Sequence, residues 1–214
     1  AMTTLHTLGQ QSLFALEMMA VLASALSGVL GALRQRMDLV GICVCGFLAA
    51  FGGGVLRDIL IDRRPFFFVE HQGVLLAVLL LSAGSAILVG RRGLETGERW
   101  LRIPDAVGLG LFSATGVHLS WMAGQPPLVA ILMGVITGSF GGVLRDLICN
   151  EIPALFRDHR PYALCAAAGG AAYAAATLLH APAGVAIAAC ALVTTGLRIL
   201  ALQLDWRLPP TEPG

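Results

Sequence analysis

Two short stretches hold most of the polar chemistry in this apolar chain. Gly53-Gly54-Val55-Leu56-Arg57-Asp58 recurs 88 residues later as Gly141-Gly142-Val143-Leu144-Arg145-Asp146. Each lies inside a long apolar run, so each sets glycines, a guanidinium and a carboxylate at bilayer depth. Glycine costs a helix about 1 kcal/mol relative to alanine. Gly52, Gly53 and Gly54 together, and Gly141 with Gly142, therefore favour a break in the span that carries them. In lipid a break survives only where the freed backbone groups face protein or water. Carbonyls freed at the negative end of a half-helix would suit a monovalent cation, held at backbone oxygens near Gly52, Gly53 and Gly141. Close helix packing is the competing use of the same glycines, and the residues alone leave both open.

Arg57 and Arg145 fall roughly 10 Å from the centres of their spans at the helical rise. Charges at that depth face the protein interior or a wet cavity, or snorkel to the interface. Successive residues on a helix point apart, so Arg57 and Asp58, like Arg145 and Asp146, are expected to find separate partners, with the other copy a source of them. Holding or gating an ion path is one role for these four charges, and a structural ion-pair network is the other.

Beside the second glycine pair, Thr137 and Ser139 either line a path or bond back to their own helix carbonyls. Phe140 stands where the first copy has Gly52, and a ring there is expected to narrow any passage. Glu17 is expected at the outer interface, His118 in packing, and Arg198 snorkelling to the cytoplasmic side. Small-residue stripes at Ala20, Ser24, Gly28 and Ala32, and from Ala166 to Ala172 through Gly169 and Gly170, read as helix-packing faces. The five cysteines show no ligand spacing, which leaves buried thiols rather than a zinc site or a disulfide framework. No nucleophile with a base and no metal cluster can be assembled, so neither an enzyme nor a cofactor is expected.

The elements that position these residues follow from composition. Of 214 residues 57% are hydrophobic and 13% charged, with a mean hydropathy of +0.79. The apolar residues come in blocks of bilayer-spanning length rather than at amphipathic spacing. Seven spans are read, at about 13–33, 39–61, 73–89, 106–123, 128–148, 162–179 and 183–204. The chain is thus one transmembrane domain: repeat 1 over 11–90, repeat 2 over 104–180, a seventh span over 182–204 and a disordered tail over 205–214. The repeat interval contains three spans, an odd number, so the second copy is upside down relative to the first. The fold expected is all-α, seven transmembrane helices in a 3+3 inverted repeat plus one, with helices 2 and 5 broken at glycines. All 14 basic residues are arginine, and the connections put 11 of them on one face. By the positive-inside bias the C-terminus is cytoplasmic and the N-terminus outside. A net charge of +1 gives no reason to expect nucleic acid.

The paired GGVLRD segments, the following Asn150-Glu151-Ile152-Pro153 and the three-plus-three-plus-one layout resemble the bacterial branch of the TRIC (trimeric intracellular cation) channels. That family also carries a glycine-transporter label. The resemblance runs from about Phe14 to Leu202. It implies a homotrimer in the bacterial inner membrane with one pore inside each protomer. It also implies permeation of K⁺ and other monovalent cations such as Na⁺, contact with membrane lipid, and kinks at Gly52, Gly53 and Gly54 and at Gly141 and Gly142. The second kink lacks a full triple glycine, because Phe140 takes its first place. A carrier for a small neutral amino acid such as glycine is the alternative, since inverted repeats and broken helices serve carriers equally.

Overall fold

The fold is described by a computed structural model of residues 2–90, 98–157 and 161–206. His159 and Arg91, Arg92, Arg160 and Arg207 lie outside the described residues, as does the tail from 207 onward. Seven long helices are present among the described residues: α1 (Met2–Arg34), α2 (Leu39–Leu60), α4 (Gln72–Gly90), α5 (Glu98–Met122), α6 (Pro127–Ile148), α8 (Ala163–Leu178) and α9 (Ala183–Gln203). Two four-residue helices, α3 (Phe67–Glu70) and α7 (Ala154–Arg157), lead into α4 and α8. By length and composition Gln11–Arg34, α2, α6 and α9 are long and apolar enough to cross a membrane, and Gln72–Leu88 and α8 are shorter apolar helices.

Local chemistry sets the helix ends. Asp38 caps α2, its Oδ1 accepting from the Gly41 amide at 2.8 Å, and Pro127 occupies the first turn of α6, where no amide partner is lost. Several helices stop on a residue at positive φ, which ties off the last carbonyls. Asp62 and Asn150 are one such pair, with φ of 54° and 55°. They stand 88 residues apart, and the amides beyond them return to Asp58 O and Asp146 O at 2.8 and 2.9 Å. The repeat thus extends to its turns.

The halves meet through α2 against α6 and α1 against α5, while α4 packs on the first half and α8 and α9 on the second. Contacts at the α2–α6 crossing are reciprocal. A Cβ placed on Gly53 would fall on the Thr137 carbonyl oxygen, and one on Gly141 would fall on the Ala49 carbonyl oxygen. Thr137 is Ala49 moved on by the repeat interval, and Gly141 is Gly53 so moved. As the numbers rise along α2 they fall along α6, so the helices cross antiparallel about a pseudo-twofold axis. Gly28 and Gly116 repeat the pattern one helix out. A Cβ on Gly28 would stand 2.7 Å from Cys45 O, and one on Gly116 would stand 2.9 Å from Met133 O.

This packing corrects the expected glycine breaks. Both α2 and α6 run as uninterrupted α-helices through Gly52–Gly54 and Gly141–Gly142. Their carbonyls stay in the helical ladder instead of being freed for an ion. The missing side chains are used for close backbone approach, which lipid-embedded helices need because apolar burial does not drive them together.

Candidate functional site

Two buried charge clusters sit toward the C-terminal ends of α2 and α6. Because these helices are antiparallel, the clusters lie at opposite ends of the crossing.

In the first, Arg57 is fully buried. Its Nε donates to Asp58 Oδ1 at 2.8 Å. Its Nη2 lies 2.8 Å from Glu17 Oε1 and 2.7 Å from Asp58 Oδ1, as ion pairs rather than aligned hydrogen bonds. Arg63 closes the group from the loop, with Nη1 3.2 Å from Glu17 Oε1. Around it are Phe51, Phe67, Phe68 and Phe112, and they leave a void of about 10 Å³, the room of one water. The Nη1 of Arg57 reaches no acceptor among the described residues.

In the second, Arg145 Nε donates to Asp146 Oδ1 at 2.8 Å. Its Nη1 donates to Asp105 Oδ1 at 2.6 Å and also to Ser27 Oγ. The other oxygen of Asp146 accepts from the Ala154 amide at 2.8 Å, which fixes the start of α7. Tyr162 lies beside this group, its ring under the Arg198 guanidinium at 4.6 Å. A cavity of about 70 Å³ opens next to it, lined by Arg34, Arg102, Asp105, Arg145, Glu151 and Arg198 among others. One end of the crossing is aromatic and nearly solid, and the other is polar and hollow.

Several expectations change here. Arg57 pairs with Asp58 and Arg145 with Asp146, although neighbours on a helix point apart. The long arginine arm folds back because an unpaired buried charge costs more than the bent arm. Glu17 is buried and bound to Arg57 instead of reaching the interface. Arg198 is also buried, stacked on Tyr162 rather than snorkelling. Among the described residues only Ser27 comes from the other repeat as a hydrogen-bond or ion-pair partner, since Glu17 and Asp105 serve the arginine of their own copy. The signal for both acids was present: Asp105 is Glu17 displaced by the same 88 residues.

The hydroxyls beside Gly141 bond back within α6, Thr137 to Met133 O at 2.6 Å and Ser139 to Val135 O at 2.7 Å. Phe140 and Gly142 are half-buried, as is Gly52, whose bare face meets the end of Leu144. A Cβ on Gly54 would have ordinary contact with Phe112, at 3.9 Å. His118 bonds Tyr173 Oη at 2.8 Å, a packing role. Four cysteines are buried and Cys43 is half-buried. No group of three or more His, Cys, Asp or Glu among the described residues is placed to hold a metal ion.

Comparison with known proteins bears on both clusters. A family model described as "Glycine transporter" matches residues 14–91 and again residues 102–178, two matches whose starts are 88 residues apart. The UPF0126 inner membrane protein YadS of Escherichia coli (strain K12) is 35% identical over 195 residues, 91% of this chain and 93% of that protein. A UPF0126 membrane protein of Deinococcus radiodurans is 39% identical over 79% of this chain and 78% of its own length. Among solved structures, the TRIC trimeric intracellular cation channel orthologue from Rhodobacter sphaeroides superposes with a TM-score of 0.84 at 32% identity, over 91% of this chain and 99% of that one. A second structure, described as the basis for conductance through TRIC cation channels, gives 0.81 at 31% identity over 94% and 97%. Since the family model matches both repeats and the likenesses to YadS and to both channel structures span nine-tenths of the molecule, the chain belongs to the TRIC family.

Proposed function

We propose that this protein is a passive, K⁺-permeable monovalent cation channel, with all seven long helices crossing the bacterial inner membrane and three copies assembling around pores internal to each protomer. The path runs beside the α2–α6 crossing between the two charge clusters. The observation that carries this reading is the occupancy of those clusters. At each end of one crossing a pair of carboxylates closes on a buried guanidinium, Glu17 and Asp58 on Arg57, Asp105 and Asp146 on Arg145. A guanidinium held there is a tethered cation filling a site that could receive a mobile one. Withdrawal of the arm exposes the carboxylates to the ion, while its return blocks the site and offsets one of their two charges. Direct backbone contact at Gly53 and Gly141 means that the crossing is closed in this conformation, so conduction needs α2 and α6 to loosen. The overall likeness to solved cation channels supports the same reading.

The test is K⁺ flux and single-protein bilayer recording on purified protein. Arg57→Gln and Arg145→Gln, each eluting from size exclusion like wild type, should raise K⁺ flux several-fold by removing the tethered cation. Unchanged flux in both folded variants would sink the gating role. A carrier for glycine is favoured by the description attached to the matching family model. Saturable glycine uptake without unitary currents would establish the carrier in place of the channel.

A further inference from the structure

The cluster around Arg145 has a feature that its counterpart at Arg57 lacks. Cys45 of α2 and Cys149, which caps the C-terminus of α6, share a buried group with Val29, Ala32 and Ile42. Both side chains are sealed into this one cluster, Cys45 fully and Cys149 to 7% exposure. The antiparallel crossing accounts for the meeting. Stepping from Ala49 one turn back along α2 and from Gly141 two turns on along α6 arrives at Cys45 and Cys149. At the pseudo-symmetric place the same steps give Met133 and Ile61, which cannot be bridged. The thiol pair is therefore an addition to one end of the repeat rather than a consequence of the repeat.

Arg145 lies against this pair. The Cys149 amide donates to Arg145 O at 2.9 Å. The Arg145 side chain and the Cys149 sulfur both crowd the bare face of Gly31, at 3.2 and 3.5 Å from where a Cβ would stand. A guanidinium arm passing a thiol favours its thiolate, the nucleophilic form. Cys149 sits at the helix end next to exposed Asn150, whereas Cys45 is sealed within the crossing. Cys149 is thus the thiol that a small neutral oxidant reaches first, with Cys45 placed to resolve the product.

We propose that Cys45 and Cys149 form a dithiol site oxidised by hydrogen peroxide, and that the resulting disulfide locks the Arg145 end of the α2–α6 crossing closed. In the first step the Cys149 thiolate attacks one peroxide oxygen and the O–O bond breaks. Sulfenic acid forms and one water leaves, carrying the thiol proton. In the second step the Cys45 sulfur attacks the sulfenyl sulfur, the S–O bond breaks, and the S–S bond forms as a second water departs with the Cys45 proton. Two thiols are oxidised by two electrons and one peroxide is reduced to two waters. The bridge itself stands on the packing of the two cysteines in one buried cluster; the lock rests on the channel reading, because it acts by preventing α2 from parting from α6.

The test uses the purified full-length protein, reduced and then reconstituted in K⁺-loaded liposomes. After peroxide treatment, free thiols are alkylated, non-reduced peptides are mapped by mass spectrometry and K⁺ efflux is measured on the same sample. The expected result is a Cys45–Cys149 linked peptide, a fall in efflux of about ten-fold or more, and recovery of both on adding dithiothreitol. Cys45→Ala and Cys149→Ser should pass K⁺ like reduced wild type and ignore peroxide. Absence of the linked peptide, with Cys149 recovered free or overoxidised, overturns the bridge. A linked peptide with unchanged efflux overturns the lock. Reduced protein that passes no K⁺ defeats the channel reading and the lock with it, while the peptide map still decides the bridge.

Discussion

Arg57 and Arg145 are equivalent by the repeat, yet only Arg145 has a hydroxyl partner from the other half. Arg145 donates to Ser27 from the other half, whereas the residue equivalent to Ser27 is Thr115, whose Oγ1 donates to its own helix at Phe112 O, 3.0 Å away. Arg57 Nη1 is left facing a void the size of one water. Hydrogen bonds to a charged group contribute about 1.5–3 kcal/mol, so Ser27→Ala should destabilise the protein measurably while Thr115→Val should have little effect. Glu17→Gln is the more severe change. It removes half of the buried negative charge facing Arg57, and breaking a buried pair costs about 3–5 kcal/mol. Thermal unfolding of the purified protein in one detergent ranks the three variants. Thr115→Val as damaging as Ser27→Ala would mean that Arg57 does use that hydroxyl. Burial is what makes these charges demanding: Arg57 and Arg145 are 0% and 4% exposed, so water makes good only part of a lost partner. The same burial is why hydropathy could locate Arg57 at depth but could not say that Asp58, its neighbour in sequence, would be its partner.

At the scale of the helix, the glycines show how far a sequence reading carries. The long apolar helices were legible, because a bilayer core favours them and the boundaries at Arg34, Leu39, Leu60 and Pro127 show in the chain as charge, Asp38 or proline. The inverted repeat was legible too, since the interval that relates Gly53 to Gly141 also relates Asp62 to Asn150 and Glu17 to Asp105. What Gly53 does was not legible. A helix break and a close crossing both need a missing Cβ, and only the position of Thr137 O across the gap decides between them. Gly53→Ala and Gly141→Ala each drive a methyl into a carbonyl oxygen of the facing helix, and overpacking of this kind costs about 1–3 kcal/mol. The two should lower the melting temperature by similar amounts, because the contacts are related by the pseudo-twofold axis. Gly84→Ala, where a Cβ would meet nothing within 4 Å, should leave the melting temperature unchanged or raise it, alanine being the better helix former. If Gly53→Ala melts like wild type, the crossing is not held by backbone contact, and a flexible hinge at the glycines becomes the better account.

Taken as one molecule, the protein has two ends built from the same residues in opposite directions and then made different. Phenylalanines fill the space around Arg57, while arginines, acids and a cavity surround Arg145. By the positive-inside bias the Arg145 end, whose cavity is lined by Arg34, Arg102 and Arg198, is predicted to face the cytoplasm. The equivalent turns at Asp62 and Asn150 offer a direct test. Both are helix-terminating residues at positive φ, and both are exposed on their turns. Aspartate, asparagine and the residues around them adopt this conformation readily, and a single cysteine there should cost little beyond its φ. In a background freed of the five native cysteines, Asp62→Cys should react with a membrane-impermeant maleimide added to intact spheroplasts. Asn150→Cys should react only in inside-out vesicles. Reaction of both from one side would contradict the inverted repeat, because an odd number of crossings must separate two residues one repeat apart. Reaction from opposite sides but in the reverse sense would keep the repeat and overturn the orientation, placing the hollow, arginine-rich end outside. The outcome also decides which face supplies oxidant to Cys149, because the thiol pair lies at the Asn150 end of the molecule.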